Sequence, residues 1–561
     1  MQSTSTPGSL TGHTRTWRRP GTKVKSGCRT CKVRKVKCDE AFPACRRCVT
    51  TGRTCDGYGI WGGGTGGSPA NKPCQSLGTI SNYTTWTAKS TLPPTTLAYP
   101  VFASPEEKEH FHWFQVRTNS KLPGSFRSNF WSTLLLQASF GEPAIYHAVL
   151  ALSSVHKRGV INNDREDQDD TIPDKLEQFA LHHYLKAINQ LQRYFTRGKD
   201  RSSCRIALIA CIVFTSMDLL RGHFTAAQVH LQHGLKLLQQ TYPNTISSPP
   251  ATDQWIIEVF SRLYVQFRLF NQRSQQMYWP QLLHAGEPSD QSPIFRCAKE
   301  AWREIEQLLD DIFLLAHHAQ QLQSEKPGHP RSHSLLERQQ QVRDRAAQWL
   351  GRYETSTCPT IRGERLVDTR ACHLLRSYHT MVTIMNEVAL HPGDEVVFDS
   401  QTSMFVRLLE QLVDLRTASA AWLSYSRPPG LKFDMSRSIV DLGWIPPLFF
   451  TAIKCRVHRI RLQAIRLLES TSHREGIWDG KILARVSRRV MELEEKDYYG
   501  DVDTADDFSL SSAPCGKDLQ MQTLPDSHRI SAIEISFSTD PVQKITLHFK
   551  QRGISKSIAI I

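Results

Sequence analysis

The stretch that decides the reading is Cys28-Arg29-Thr30-Cys31-Lys32-Val33-Arg34-Lys35-Val36-Lys37-Cys38-Asp39-Glu40-Ala41-Phe42-Pro43-Ala44-Cys45-Arg46-Arg47-Cys48-Val49-Thr50-Thr51-Gly52-Arg53-Thr54-Cys55. Its six cysteines follow C-x2-C-x6-C-x6-C-x2-C-x6-C, two C-x2-C-x6-C units joined by six residues. Cysteines two residues apart bring both sulfurs to one tetrahedron through a short turn, which suits a d10 metal ion. Between Cys31 and Cys38, four of six residues are cations (Lys32, Arg34, Lys35 and Lys37). A metal site wrapped around a basic segment points to nucleic acid rather than to catalysis.

The competing reading is a disulfide framework in a small secreted domain. Residues 1–27 hold no apolar segment of the kind a secretory leader needs, and carry Arg15, Arg18, Arg19, Lys23 and Lys25 instead. The other cysteines, from Cys74 to Cys515, are scattered without a pairing rhythm. Metal is therefore favoured. Six thiolates exceed the four ligands of one closed structural zinc site. Two tetrahedra need eight ligand positions, so two sulfurs must be shared.

Over about 30 residues the stretch closely resembles the fungal zinc binuclear cluster (Zn2Cys6) transcription factors, helix-placing DNA readers. The match includes Pro43 in the connecting loop and the string Gly27-Cys28-x-x-Cys31-Lys32-x-Arg34-Lys35-x-Lys37-Cys38-Asp39. The resemblance implies two Zn2+ ions on Cys28, Cys31, Cys38, Cys45, Cys48 and Cys55, with Cys28 and Cys45 bridging. It also implies that a short helix from about Cys28 presents the cations to double-stranded DNA over a GC-rich, CGG-type half-site. Lysine and arginine donors meet guanine O6 and N7 in the major groove. Lys35 is the first base-contact candidate and Arg34 the second, with Val33 and Val36 packing inward. Lys32, Lys37, Arg46, Arg47 and Arg53 are phosphate contacts that fix register.

Charge follows the motif. Residues 12–58 hold 13 Lys and Arg against three acids, so ten of the chain's net +15 lie there. Several neutralised phosphates imply a log–log salt slope of about −0.9 per contact. Residues 1–24 are expected to form a disordered basic arm, 25–58 the DNA-binding module, and 59–100 a Gly/Ser/Thr/Pro-rich linker. Two G-x-G-x-x-G matches in the linker neither follow a strand nor open a helix, so a dinucleotide site fails its context test. Residues 56–100 show no sustained apolar heptad. Homodimerisation by a coiled coil after the cluster is thus not evident, which leaves monomeric binding or dimerisation through the larger domain.

From about residue 100 the fold is expected to be mainly α: a large all-helical domain over 101–490, resembling the fungal-specific transcription factor (middle homology) domain. Amphipathic helices are expected at Phe130–Phe140, Ala144–Lys157, Leu176–Phe195, Cys204–Leu220, Thr225–Gln240, Trp255–Phe270, Ala298–His317, Leu336–Tyr353, Leu366–Leu390, Met404–Tyr425 and Ile439–Glu469. The most apolar run, Ile206–Phe214, is under half a bilayer span and reads as a buried helix. The histidine pairs His182-His183, His317-His318 and His110/His112 lack metal-ligand spacing, and Asp310-Asp311 reads as solvated charge. With no catalytic string present, the chain is expected not to be an enzyme. Residues 491–561 are expected as an acidic segment and tail, with a hairpin from the alternation of Ile533, Ile535, Phe537, Ile545, Leu547 and Phe549. The reading is a nuclear, sequence-specific regulator of RNA polymerase II transcription, with coregulators as further partners and no membrane. The rivals are an enzyme carrying an accessory DNA-binding module and a non-transcriptional nucleic-acid scaffold.

Overall fold

The structure is a computed structural model that describes residues 31, 34–39, 45–51, 104–126, 128–161, 174–196, 200–242, 251–270, 292–323, 331–357, 366–426, 438–471, 473–496, 498–499, 507–514, 516–519, 523–537 and 545–560. The chain divides into two compact units, Met1–Pro94 and Thr95–Ile561. The expected basic arm and linker lie outside the described residues, as do Cys28, Lys32, Val33, Arg53 and Cys55. Among the described residues of the first unit, a short helix, α1 (Arg46–Thr50), follows Cys45 directly.

The second unit is mainly helical, as expected, around one continuous apolar core running from Phe111 to Ile560. Its helices are α2 (Pro105–Trp113), α3 (Asn119–Lys121), α4 (Leu135–Gly141), α5 (Pro143–Ile161), α6 (Lys175–Thr196), α7 (Arg201–Arg221), α8 (Phe224–Thr241), α9 (Ala251–Phe270), α10 (Ala298–Gln323), α11 (Arg331–Thr357), α12 (Leu366–Val388), α13 (Thr402–Ser426), α14 (Ile445–Lys454), α15 (His458–Glu469), α16 (Gly480–Glu495) and α17 (Gly516–Leu519). Consecutive helices pack as pairs, α5 on α6 and α7 on α8 most extensively. The α7–α8 corner shows how sequence sets such a pair. Gly222 takes φ +78, and its N–H and that of His223 return to the last carbonyls of α7. This left-handed cap ends one helix and starts the next within two residues. Gly234 then lets α8 close on its neighbours: a Cβ there would lie 2.4 Å from the Phe260 ring and 3.2 Å from Cys211 Cβ.

The helix α7 contains the expected apolar run. By length and composition it could cross a bilayer, but 72% of that window is buried inside the unit. Its apolar surface is spent on the core.

Three expectations need correction. Ile439–Glu469 is not one helix. It is a two-residue strand β1 (Ser438–Ile439), then α14 and α15, separated where Cys455 turns extended at φ −80, ψ 128. Pro446 and Pro447 sit in the first turn of α14, where a missing N–H costs nothing. Strand β1 pairs in parallel with β2 (Arg474–Glu475), which pairs antiparallel with β3 (Trp478–Asp479). Glu475 on β2 accepts the N–H groups of Gly443, Trp444 and Ile445 at 2.9–3.1 Å, capping α14 from outside its own sequence.

Second, the boundary at 490 falls inside α16, and the chain beyond that helix is part of the same core. The expected hairpin exists as β4 (Ile530–Phe537) and β5 (Ile545–Gln551). A third strand, β6 (Ile554–Ile560), pairs with β5 through Arg552-Gly553, both at positive φ (+52 and +73). That is the backbone of a two-residue turn matched to strand twist.

Third, acids read as solvated are partly buried. Asp310 is 7% exposed, and burial raises its carboxyl well above the usual range. Glu494 is fully buried between Arg456, whose guanidinium donates at 2.9 Å, and Arg461 at 2.5 Å. Arg456 also reaches Glu395 at 3.0 Å and the Ile530 carbonyl at 3.1 Å, while the Ile530 N–H donates to Glu494 at 2.6 Å. The C-terminal sheet is therefore joined to the helices through a buried ion cluster. Phe508, within the expected acidic segment, lies under the guanidinium groups of Arg459 and Arg466.

Candidate zinc centre and nucleic-acid interface

Cys31, Cys38, Cys45 and Cys48 form a small buried cluster of their own in the first unit. Cys31 Sγ lies 3.6 Å from Cys45 Sγ and 3.9 Å from Cys48 Sγ. The sulfurs of Cys31, Cys38 and Cys45 all fall within 4.8 Å of one another. Zinc–sulfur bonds of about 2.3 Å at the tetrahedral angle place ligand sulfurs roughly 3.8 Å apart. The observed separations bracket that value. Among the described residues no other group of three or more His, Cys, Asp or Glu ligands converges in this way. Thiolates packed at this distance repel one another unless a cation lies between them, so donor type and spacing fit zinc.

Local backbone geometry builds the cluster. Cys31 is helical, and the Val36 N–H returns to the Cys31 carbonyl at 3.1 Å across Arg34 and Lys35, with Lys35 at φ +56. This is the six-to-one closure of a left-handed helix cap. It turns the chain so that Cys38 comes back beside Cys31. On the other half, the Cys48 N–H donates to Cys45 Sγ at 3.3 Å, as a ligand sulfur requires. Asp39 joins the halves: its carboxylate accepts the N–H groups of Arg46 at 3.0 Å and Arg47 at 3.3 Å, filling the otherwise open first turn of α1. Those backbone bonds outweigh the opposing effect of desolvation and hold the Asp39 carboxyl below its usual value.

The cations fall into two groups. Lys35, Lys37, Arg46 and Arg47 are exposed. Arg34 is half-buried, and its guanidinium donates to Thr51 Oγ1 at 3.2 Å, tying the first half to the second. Val36, expected to pack inward, is 36% exposed. The helix has already turned by that point, so its 3.6-residue period no longer applies there. Lys35 accordingly sits in the cap after the helix rather than on it. Asp39 and Thr51 were not singled out from sequence as site-builders. An acid directly after the third cysteine was the available signal for Asp39, whereas nothing local marks Thr51.

The histidines form no second centre among the described residues. His147 and His183 face each other Nδ1 to Nδ1 at 3.0 Å, and His110 stacks on Phe179 at 4.1 Å. Burial, foremost, lowers His110 to about 4 and His183 to about 3, so both are neutral core groups.

Comparison with known proteins agrees with the geometry. Residues 26–60 match the fungal Zn(2)-Cys(6) binuclear cluster domain, and residues 109–388 match the fungal specific transcription factor domain. The chain belongs to the fungal Zn(2)-Cys(6) transcription regulators. The aspercryptin biosynthesis cluster-specific transcription regulator atnN of Emericella nidulans is 25% identical over 557 residues, spanning 84% of this chain and 88% of that protein. The transcription regulator lscL of Purpureocillium lilacinum is 25% identical over 218 residues, 37% of this chain and 48% of that protein. The transcriptional regulatory protein moc3 of Schizosaccharomyces pombe is 50% identical over 36 residues, which are 6% of this chain and 7% of that protein. No solved structure matches. In this family the six cysteines hold two zinc ions, and three of them, Cys31, Cys38 and Cys45, already lie at coordinating spacing. The ions supply the cross-links that a module too small for an apolar core lacks.

Proposed function

We propose that this chain is a nuclear, sequence-specific regulator of RNA polymerase II transcription. In this reading the zinc cluster presents Lys35 to the guanines of a CGG-type half-site. Lys37, Arg46 and Arg47 neutralise flanking phosphates, as Lys32 does outside the described residues, and Arg34 braces the module through Thr51. Cys28 and Cys45 bridge the two ions. The observation that carries the proposal is the buried sulfur cluster flanked by exposed cations. A relative named as specific to a biosynthesis cluster supports a similar duty here, control of one set of biosynthetic genes. The helical unit couples this output to coregulators.

Selection of the full chain on randomised duplex DNA at fixed salt tests the reading. Enrichment of CGG-containing sites is expected. Equal retention of all duplexes, or preference for RNA, would sink it in favour of a scaffold role.

A further inference from the structure

The two edges of the C-terminal sheet differ. Strand β4 spoils its own edge: the register slips between Ser531 and Glu534, Ala532 takes φ +57, and Phe537 packs on the Phe224 and Phe270 rings. Irregular edges of this kind reject a further strand. Strand β6 has no such device. Its seven residues pair in unbroken register with β5, and no strand lies on its other side among the described residues. The turn at Arg552-Gly553 fixes which backbone groups are open. A two-residue hairpin turn is closed by a pair that exchanges backbone bonds, here Gln551 and Ile554, and bonded and non-bonded pairs then alternate. Ser555, Ser557 and Ala559 therefore turn their N–H and C=O groups away from β5, at the spacing a further strand would match.

Residues paired across an antiparallel ladder share a face. Lys556, Ile558 and Ile560 thus lie on the side where their partners Phe549, Leu547 and Ile545 are buried. Along that row Lys556 is exposed, Ile558 half-buried and Ile560 buried. The sheet overhangs the helices, and a groove runs between α16 and the Ala559-Ile560 end of β6. Its charge says what an added strand must carry. Lys481, Arg485, Arg488 and Arg489 line it from one stripe of α16, together with Glu469 and Glu492. Arg488 is taken by Glu469 at 2.6 Å and Arg489 by Glu492 at 3.0 Å. Four cations against two acids leave a surplus of two, and Arg485, exposed, has no carboxylate partner among the described residues. Strands β5 and β6 hold no acid, and Lys556 is the one charged residue of β6.

We propose that β6 is a docking edge for an extended acidic segment of another polypeptide. The segment joins the sheet as a further strand and sets alternate acidic side chains against Arg485 and its neighbours on α16. Main-chain bonds supply the affinity, and the acids supply the selectivity. A second copy of this chain fits less well, because it would bring Lys556 and the α16 cations against their own likes. The docking chemistry stands on the second unit alone; only the partner's identity as a coregulator rests on the function proposed above.

The test titrates the full chain, by fluorescence anisotropy, into labelled heptapeptides matched to the length of β6. The first is Thr-Glu-Val-Glu-Thr-Glu-Val, the second has lysine for each glutamate, and the third is the acidic peptide N-methylated at every internal amide. One saturable site per chain is expected, with the acidic peptide held about tenfold more tightly than the lysine peptide, the worth of one charge-assisted hydrogen bond. Arg485→Glu, at an exposed helix position, should remove that preference, and N-methylation should abolish binding at unchanged charge. Ser557→Pro, which takes away an outward N–H and no bond to β5, should weaken both unmethylated peptides in a chain that still melts cooperatively. Absence of a saturable site, equal affinity for the two charges, retention of the N-methylated peptide, or insensitivity to either variant would overturn the inference. So would loss of the peptide site as the chain is concentrated, which would give β6 to a second copy. A fall in affinity for random duplex DNA in Arg485→Glu with the peptides unaffected would give the cations to phosphate instead. Selection of CGG sites by the same preparations separates these failures from failure of the DNA-reading function.

Discussion

Lys35 occupies a backbone conformation at φ +56 that costs a side-chain-bearing residue about 1–2 kcal/mol. A glycine would adopt it freely, so the turn itself does not call for a lysine. Lys35→Gly is expected to leave zinc retention and module stability intact or raised by about 1 kcal/mol. It should cost about 1–3 kcal/mol at the cognate site, as Lys35→Ala does. Parallel melting and DNA-binding titrations at fixed salt check both, and intact sequence preference in Lys35→Gly would remove Lys35 from the base contacts. Cys45→Ser should release both zinc ions, measured as metal per chain, whereas loss of one ion would exclude Cys45 as a bridge. The metal-binding cysteine cluster was legible because cysteine spacing is a covalent fact of the sequence. The capping role of Asp39 and the Arg34–Thr51 tie were not, since a hydrogen bond across 17 residues depends on where the turn at Lys35 sends the chain.

Among the elements, long helices were legible wherever one apolar stripe repeats at 3.6 residues, as in α6, α8 and α10. The break within Ile439–Glu469 was hidden because nearly every residue on both sides of it is buried, the polar His458, Arg459, Arg461 and Gln463 included. Periodicity is silent when all faces are buried. β6 was hidden for another reason: arginine seldom takes the positive φ found at Arg552, so Arg552-Gly553 does not announce a tight turn. Helix pairing rests on close approaches that can be tested one atom at a time. Gly234→Ala should destabilise the second unit by about 1–3 kcal/mol, because the fully buried Phe260 ring has nowhere to go. Gly351→Ala on α11, where nothing lies within 4 Å, should instead stabilise by about 0.5–1 kcal/mol. Thermal melts of the two variants should move in opposite directions.

For the molecule as a whole, buried ionisable groups set the response to pH. Burial raises the Glu306 carboxyl to about 8 against the opposing pull of Arg262, while Trp302 Nε1 donates to it at 2.8 Å. A group raised in the folded state favours folding below its unfolded value and loses that contribution as pH climbs through the folded value. Glu306→Gln should therefore raise the melting temperature, with a gain that widens from pH 5 to pH 8; a gain independent of pH would refute the assignment. Glu494 behaves oppositely. Burial pushes it up, but Arg456 and Arg461 outweigh burial and hold it near 2. Its contribution is complete above the usual carboxylate range and fades as pH falls toward 2. Arg456→Met leaves Glu395 and Glu494 buried without their shared cation and is expected to cost about 3–5 kcal/mol, read as a fall in melting temperature. The same cluster gives the gene a polarity. Because Ile530 is held through both its N–H and its carbonyl, a premature stop codon anywhere between positions 497 and 529 deletes a structural keystone. Such late nonsense alleles should behave as nulls through degradation of the whole regulator, with the zinc module's coding sequence untouched.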